Sequence, residues 1–142
     1  MADIYALTTA VDAATVDRFR RQYLGELAPP DGPFWWPTAA EGADLQFRGA
    51  TLDELLAFLV ARPGRDYVLY FHAAGPGPVR LGMLFFNPDA TLTMGVGVAE
   101  EQADAYRCRL SADFPGALLL RCDDVPPPDT AAEFREWMLE QV

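Results

Sequence analysis

A chain of 142 residues with 21 acidic against 11 basic side chains carries a formal charge of -10, and 51% of its residues are hydrophobic. The length suits one domain that buries about two thirds of its unfolded surface, and the charge disfavours a nucleic-acid backbone as partner, because phosphates reward clustered Lys and Arg. No run approaches the roughly 18 consecutive apolar residues of a membrane span, and the early acid Asp3 argues against a signal peptide, so a cytoplasmic protein without membrane association is expected.

Asp3 to Thr8 is a short strand candidate. Asp12 then caps a helix predicted from about Ala13 to Glu26, in which Val16, Phe19, Tyr23 and Leu27 recur at spacings of three and four and form one buried stripe. Residues 28 to 44 are punctuated by Pro and Gly and read as a loop holding the aromatic run Phe34-Trp35-Trp36-Pro37. Successive side chains of an extended segment point opposite ways, so Trp35 and Trp36 are not expected to share a core pocket: one anchors the loop, and the pair reads either as a lid on the core or, with one indole outward, as a contact surface. A short strand, "LQFRG", follows.

Thr51-x-x-Glu54 is a capping box opening a second helix, with Leu52, Leu55, Leu56 and Leu59 as its stripe and "RPG" as its stop. "YVLYFH" is almost wholly apolar and reads as a strand covered on both faces; "VRLGMLFF" is the next strand, and "TLTMGVGV" alternates without a break. In the last of these, Leu92, Met94, Val96 and Val98 share one face and Gly95 and Gly97 the other. The glycines signal a bulge, close approach of another segment, or a partner groove.

Glu100 to Leu110 is a helix candidate with Ala103, Tyr106 and Leu110 inward. "ALLLRC" is a strand, "DDVPPPD" an extended acidic connector, and Thr130-x-x-Glu133 a second capping box before a helix whose Phe134, Trp137 and Met138 face inward. The order β-α-loop-β-α-β-β-β-α-β-α, without internal repeats, predicts an α+β fold spanning 1-142 as one domain: an antiparallel meander with helices against one face.

Catalytic constellations are sparse. His72 is the sole histidine and the only base candidate at neutral pH; at a strand end it reads first as a hydrogen-bonded structural group, and a dyad with Cys108 or Cys122 has no local motif behind it. The two cysteines fit no zinc spacing and read as reduced, half-buried thiols. Asp123, Asp124 and Asp129 lack the glycine-centred turn of a calcium loop. No metal and no cofactor are expected.

The run "TLDELLAFLVARPGRDYVLYFHAAGPGPVRLGMLFFNPDATLTMGVGV", followed after a gap by "TAAEFREWM", resembles the immunity proteins encoded beside bacterial polymorphic and contact-dependent toxins, over roughly residues 51 to 139. The resemblance is one of plan: a leading helix, a three-strand meander and a terminal amphipathic helix bearing aromatics. The Gly-x-x-Pro-and-Trp tail of one version of that plan is lacking, and no functional residue carries over by position. It implies a small non-enzymatic protein, monomer or homodimer, that neutralises a cognate toxin by covering a basic cleft with an acidic surface. An acidic secretion chaperone holding a segment of an exported effector is the alternative, and a small enzyme using His72 a further one. The expected contact residues are Trp35 and Trp36 with Glu41 and Asp44, and the connector acids Asp123, Asp124 and Asp129.

Overall fold

The computed structural model describes residues 1-38 and 44-141. Six strands form one antiparallel sheet: β1 (Ala2–Thr8), β2 (Leu27–Ala28), β5 (Tyr67–Ala73), β6 (Val79–Phe86), β7 (Leu92–Val98) and β8 (Leu118–Arg121), in the order β2-β5-β6-β7-β1-β8. A separate hairpin pairs β3 (Phe34–Trp36) with β4 (Phe47–Gly49). The helices are α1 (Ala13–Tyr23), α2 (Leu52–Ala61), α3 (Ala103–Asp113), entered through one 3-10 turn at Glu100–Gln102, and α4 (Ala131–Glu140). The predicted α+β class therefore stands. No helix among the described residues is long and apolar enough to cross a membrane.

Alternation along the strands divides the sheet into two faces. On the first, Ala2, Ile4 and Ala6 of β1 and Met94, Val96 and Val98 of β7 bury against Val16 and Phe19 of α1, Leu55 and Leu59 of α2, and Tyr106 and Leu110 of α3. These helix residues recur at three- and four-residue spacing, the stripe a helix needs to lie on a flat apolar surface. Gly82 of β6 lets α1 end close to the sheet, since a Cβ there would meet Leu24 Cδ2 at 2.1 Å.

The second face carries Tyr5 and Leu7 of β1, Met83 and Phe85 of β6, and Leu120 of β8, closed over by Phe134 of α4 with Trp137 and Met138 at its margin. The expectation that the helices gather on one face is thus corrected. An amphipathic stripe dictates that a helix is half buried, not on which side of the sheet it docks. Two tethers fix α4: Asp89 Oδ2, in the β6–β7 turn, accepts the Ala131 N–H at 2.7 Å, and the Gln141 side chain bonds both the N–H and the C=O of Arg121 on the free edge of β8. An amide that occupies an edge strand's backbone groups also blocks strand addition there.

Three further expectations change. Residues 28 to 44 are not all loop: β2 pairs with β5 for two residues until Pro29 and Pro30, which have no N–H to donate, end the ladder, and β3 forms within the aromatic run. β5 is not covered on both faces; Leu69 and Phe71 are buried on the first, whereas Val68, Tyr70 and His72 are exposed on the second. The ten residues of α4 lie over β8 and β1 and leave the β5–β6 side open. The first helix also ends at Tyr23, three residues early.

Candidate functional site

The hairpin resolves the tryptophan pair. Trp36 turns inward, with its Nε1–H donating to the Asp66 carbonyl at 3.0 Å, its ring 6.4 Å from that of Phe58, and the Arg65 guanidinium 5.8 Å above it. Phe47, its cross-strand partner, stacks on the same Phe58 at 4.6 Å, so the hairpin is riveted to α2. Trp35 points the other way and keeps 41% of its surface exposed. Its cross-strand partner is the exposed Arg48, which the sequence does not signal, since ten residues separate the two strands. Asp44 is exposed just before β4, and Glu41 lies outside the described residues.

The acidic connector is less uniform than its composition suggests. It opens with a tight turn, not an extended run: Asp124 adopts a φ of 61° and the Cys122 thiol donates to the Val125 carbonyl at 3.2 Å. Asp123 is committed internally. Both its oxygens accept from Arg121, at 2.7 to 3.1 Å, and Oδ1 accepts the Asp3 N–H at 2.9 Å. Those bonds hold its carboxyl below the usual range despite partial burial, while Arg121 also pairs with Glu100. Asp124 and Asp129 remain exposed. Of the three connector acids, two are thus presented to solvent and one is structural.

The hairpin rests on α2, in the layer covering the first face, while the connector crosses the second. The structure therefore separates the two expected contact sets into opposite layers. What the connector adjoins instead is the uncovered part of the second face. Register places side chains there in rows across the strands: His72, Leu81, Gly97 and Asp3 in one, Tyr70, Met83, Gly95 and Tyr5 in the next, and Val68, Phe85, Thr93 and Leu7 in the third. Between these rows and Asp124, Val125 and Pro126 runs an open groove of about 200 Å³.

Gly95 explains part of this surface. The Tyr5 ring lies over it and the Tyr5 hydroxyl donates to Met83 Sδ at 3.5 Å, bridging the bare position from strand to strand. Close approach of neighbouring side chains is thus the reading of the glycine pattern that Gly95 satisfies. At the end of the groove sits Asp3, only 8% exposed. Its Oδ2 accepts the Asp124 N–H at 3.3 Å, whereas Oδ1 is buried with no hydrogen-bond partner among the described residues. Burial pushes this carboxyl up; the Asp124 N–H opposes that, the neighbouring charges of Asp123 and Asp124 reinforce it, and the positive amino terminus weakly opposes it.

A cysteine–histidine dyad does not form. Cys122 follows β8 and His72 lies on β5, four strand positions apart, or about 19 Å. Burial and the charges of Asp3 and Asp123 push the Cys122 thiol up to about 11, the wrong direction for a nucleophile. Cys108 lies on α3, across the sheet from the His72 side chain, and is exposed where a half-buried thiol was expected; Cys122 is buried. His72 is exposed, and its ring makes no hydrogen bond among the described residues, so the structural role expected at a sheet end is not seen. No cluster of three metal-ligating side chains occurs among the described residues. Comparison of the chain with protein-family models, curated proteins and solved structures finds no match.

Proposed function

We propose that this protein is an immunity-type binding protein that neutralises a cognate toxin domain by covering a basic surface on it, without chemistry of its own. The observation that carries the reading is the uncovered strip on the second face: Val68 and Tyr70 at 44% exposure and Val125 at 49% line an apolar patch whose rim holds Asp3 and Asp124. An apolar centre excludes water, and surrounding carboxylates, in a chain of charge -10, steer a cationic surface towards it and fix its register. Trp35 beside Arg48 offers a second anchor of the residue types that dominate binding energy.

The test is reconstitution with the product of the adjacent gene. A tight one-to-one complex with a folded toxin domain, together with growth rescue when both are expressed, is the expected result. A stable homodimer that instead captures an unfolded N-terminal segment of that product replaces this reading with the secretion-chaperone one. If no complex forms and deletion leaves cells insensitive to that product, the proposal fails.

A further inference from the structure

The groove on the second face ends in a feature that a merely structural surface does not need. Asp3 is more than nine-tenths buried, and its unpartnered Oδ1 sits 3.1 Å from where a Gly97 side chain would begin. An unsatisfied buried acceptor is destabilising, and more so when the group is charged. The one arginine nearby, Arg121, has its hydrogen bonds directed to Asp123 and Glu100 and supplies none to Asp3. Gly97 leaves that position without a side chain of its own, and Leu81 Cβ and Met1 Cε, at 3.1 and 3.0 Å from it, close it until the exposed Met1 side chain swings aside to admit a donor.

The geometry points to this niche as the receptor for a single arginine side chain of the basic partner, a specification that rests on the binding reading above. Its guanidinium donates to Asp3 Oδ1 and to the exposed Asp124 carboxylate, while its stem lies along Leu81, Met83 and Val125 and its plane faces the Tyr70 ring. The groove, at about 200 Å³, has room for one long side chain. Chemistry selects arginine, which forks between two carboxylates, stacks on aromatic rings and is desolvated more cheaply than an ammonium.

The full-length protein, isotopically labelled, is titrated with the capped tripeptide acetyl-Gly-Arg-Gly-amide and with its citrulline counterpart, which keeps the shape and loses the charge. The expected result is saturable movement of the Tyr70, Leu81, Gly97 and Asp124 amide signals with arginine, weakened at least about tenfold in Asp3→Asn and in the citrulline series. Asp124→Asn, whose side chain tolerates the positive φ, supplies a variant that keeps the turn, and Tyr70→Ser one that removes a half-exposed ring whose one aromatic neighbour among the described residues is Phe85; both should weaken binding. Asp3→Asn should also melt higher at neutral pH, because it removes a buried charge of which one oxygen is left without a partner, whereas a purely structural Asp3 would make it melt lower. Equal binding of the citrulline peptide, or arginine binding indifferent to Asp3 and Asp124, overturns the inference while leaving toxin binding to be judged by reconstitution. Arginine binding without any toxin complex sinks the functional reading alone.

Discussion

Gly95→Ala is the substitution in which two opposing effects are most sharply separated. Replacing a strand glycine by alanine ordinarily stabilises by about 0.5–1 kcal/mol through the unfolded chain's lost freedom. Here the new methyl would lie 2.6 Å from both Cδ1 and Cε1 of Tyr5 and 3.2 Å from Met83 Cε, so the ring contact falls roughly 0.8 Å short of the 3.4 Å where ordinary contact begins. The ring has no easy retreat. Tyr5 is 2% exposed, its hydroxyl is held by Met83 Sδ, and Phe85 meets it edge-on at 5.9 Å. Overpacking of this kind costs about 1–3 kcal/mol. The collision should win, leaving a net loss of about 1–2 kcal/mol, which moves a urea midpoint down by roughly 0.5–1 M for a slope near 2 kcal/mol/M. Gly75→Ala is the control, since nothing lies within 4 Å of its Cβ position, and it should shift the midpoint slightly upward or not at all. In a Tyr5→Ala background the Gly95 penalty should vanish, giving a coupling energy above about 0.5 kcal/mol. A Gly95→Ala protein as stable as the control would refute the claim that Tyr5 fills the bare position.

The tryptophan pair should split in a thermal melt: Trp36→Ala loses its stacking, its hydrogen bond to Asp66 and its arginine contact, at about 2–3 kcal/mol, whereas Trp35→Ala stays within about 0.5 kcal/mol. Comparable losses in both would reduce the hairpin to a structural plug. Asp89 should be a pH-dependent tether of α4. Burial works to raise its pKa, but hydrogen bonds from the Thr91 hydroxyl, the Ala131 N–H and the Thr91 N–H more than reverse this and hold it below 3.8. A depressed carboxyl contributes stability above its unfolded value and loses it as pH falls through the folded one. Asp89→Asn should therefore cost about 1 kcal/mol at pH 7, and the gap to the parent should close as pH drops below 3.8, measured by denaturant titration. A gap constant with pH would show that the charge plays no part.

Much of the architecture was legible because it is written in short-range periodicity. β7 alternates over its whole length, and a face of Leu92, Met94, Val96 and Val98 has only one way to be buried. Thr51 and Thr130 announce their helices by capping the N–H groups of Glu54 and Glu133. β3 was hidden because Pro33 and Pro37 bracket it, and a three-residue strand acquires its identity from pairing with β4, not from propensity. The apolar run of β5 fits a strand buried on both sides as well as one whose Val68 and Tyr70 await a cover, and the choice depended on where α4 would dock.

The candidate site divides along the same line. Opposite facing of Trp35 and Trp36 followed from extended geometry within one segment. The groove could not be foreseen, because its walls come from β1, β5, β6 and the connector, and the bond from the Asp124 N–H to Asp3 spans 121 positions of sequence. It arises because β1 inserts between β7 and β8, which sets Asp3 opposite Gly97 and brings the turn after β8 beside it. In sequence, Asp3 is one acid among 21, useful mainly as an argument against a signal peptide. In the fold its Oδ1 is the buried side-chain oxygen left without a hydrogen bond among the described residues, and the arginine proposed for the groove would put a donor where the chain supplies none.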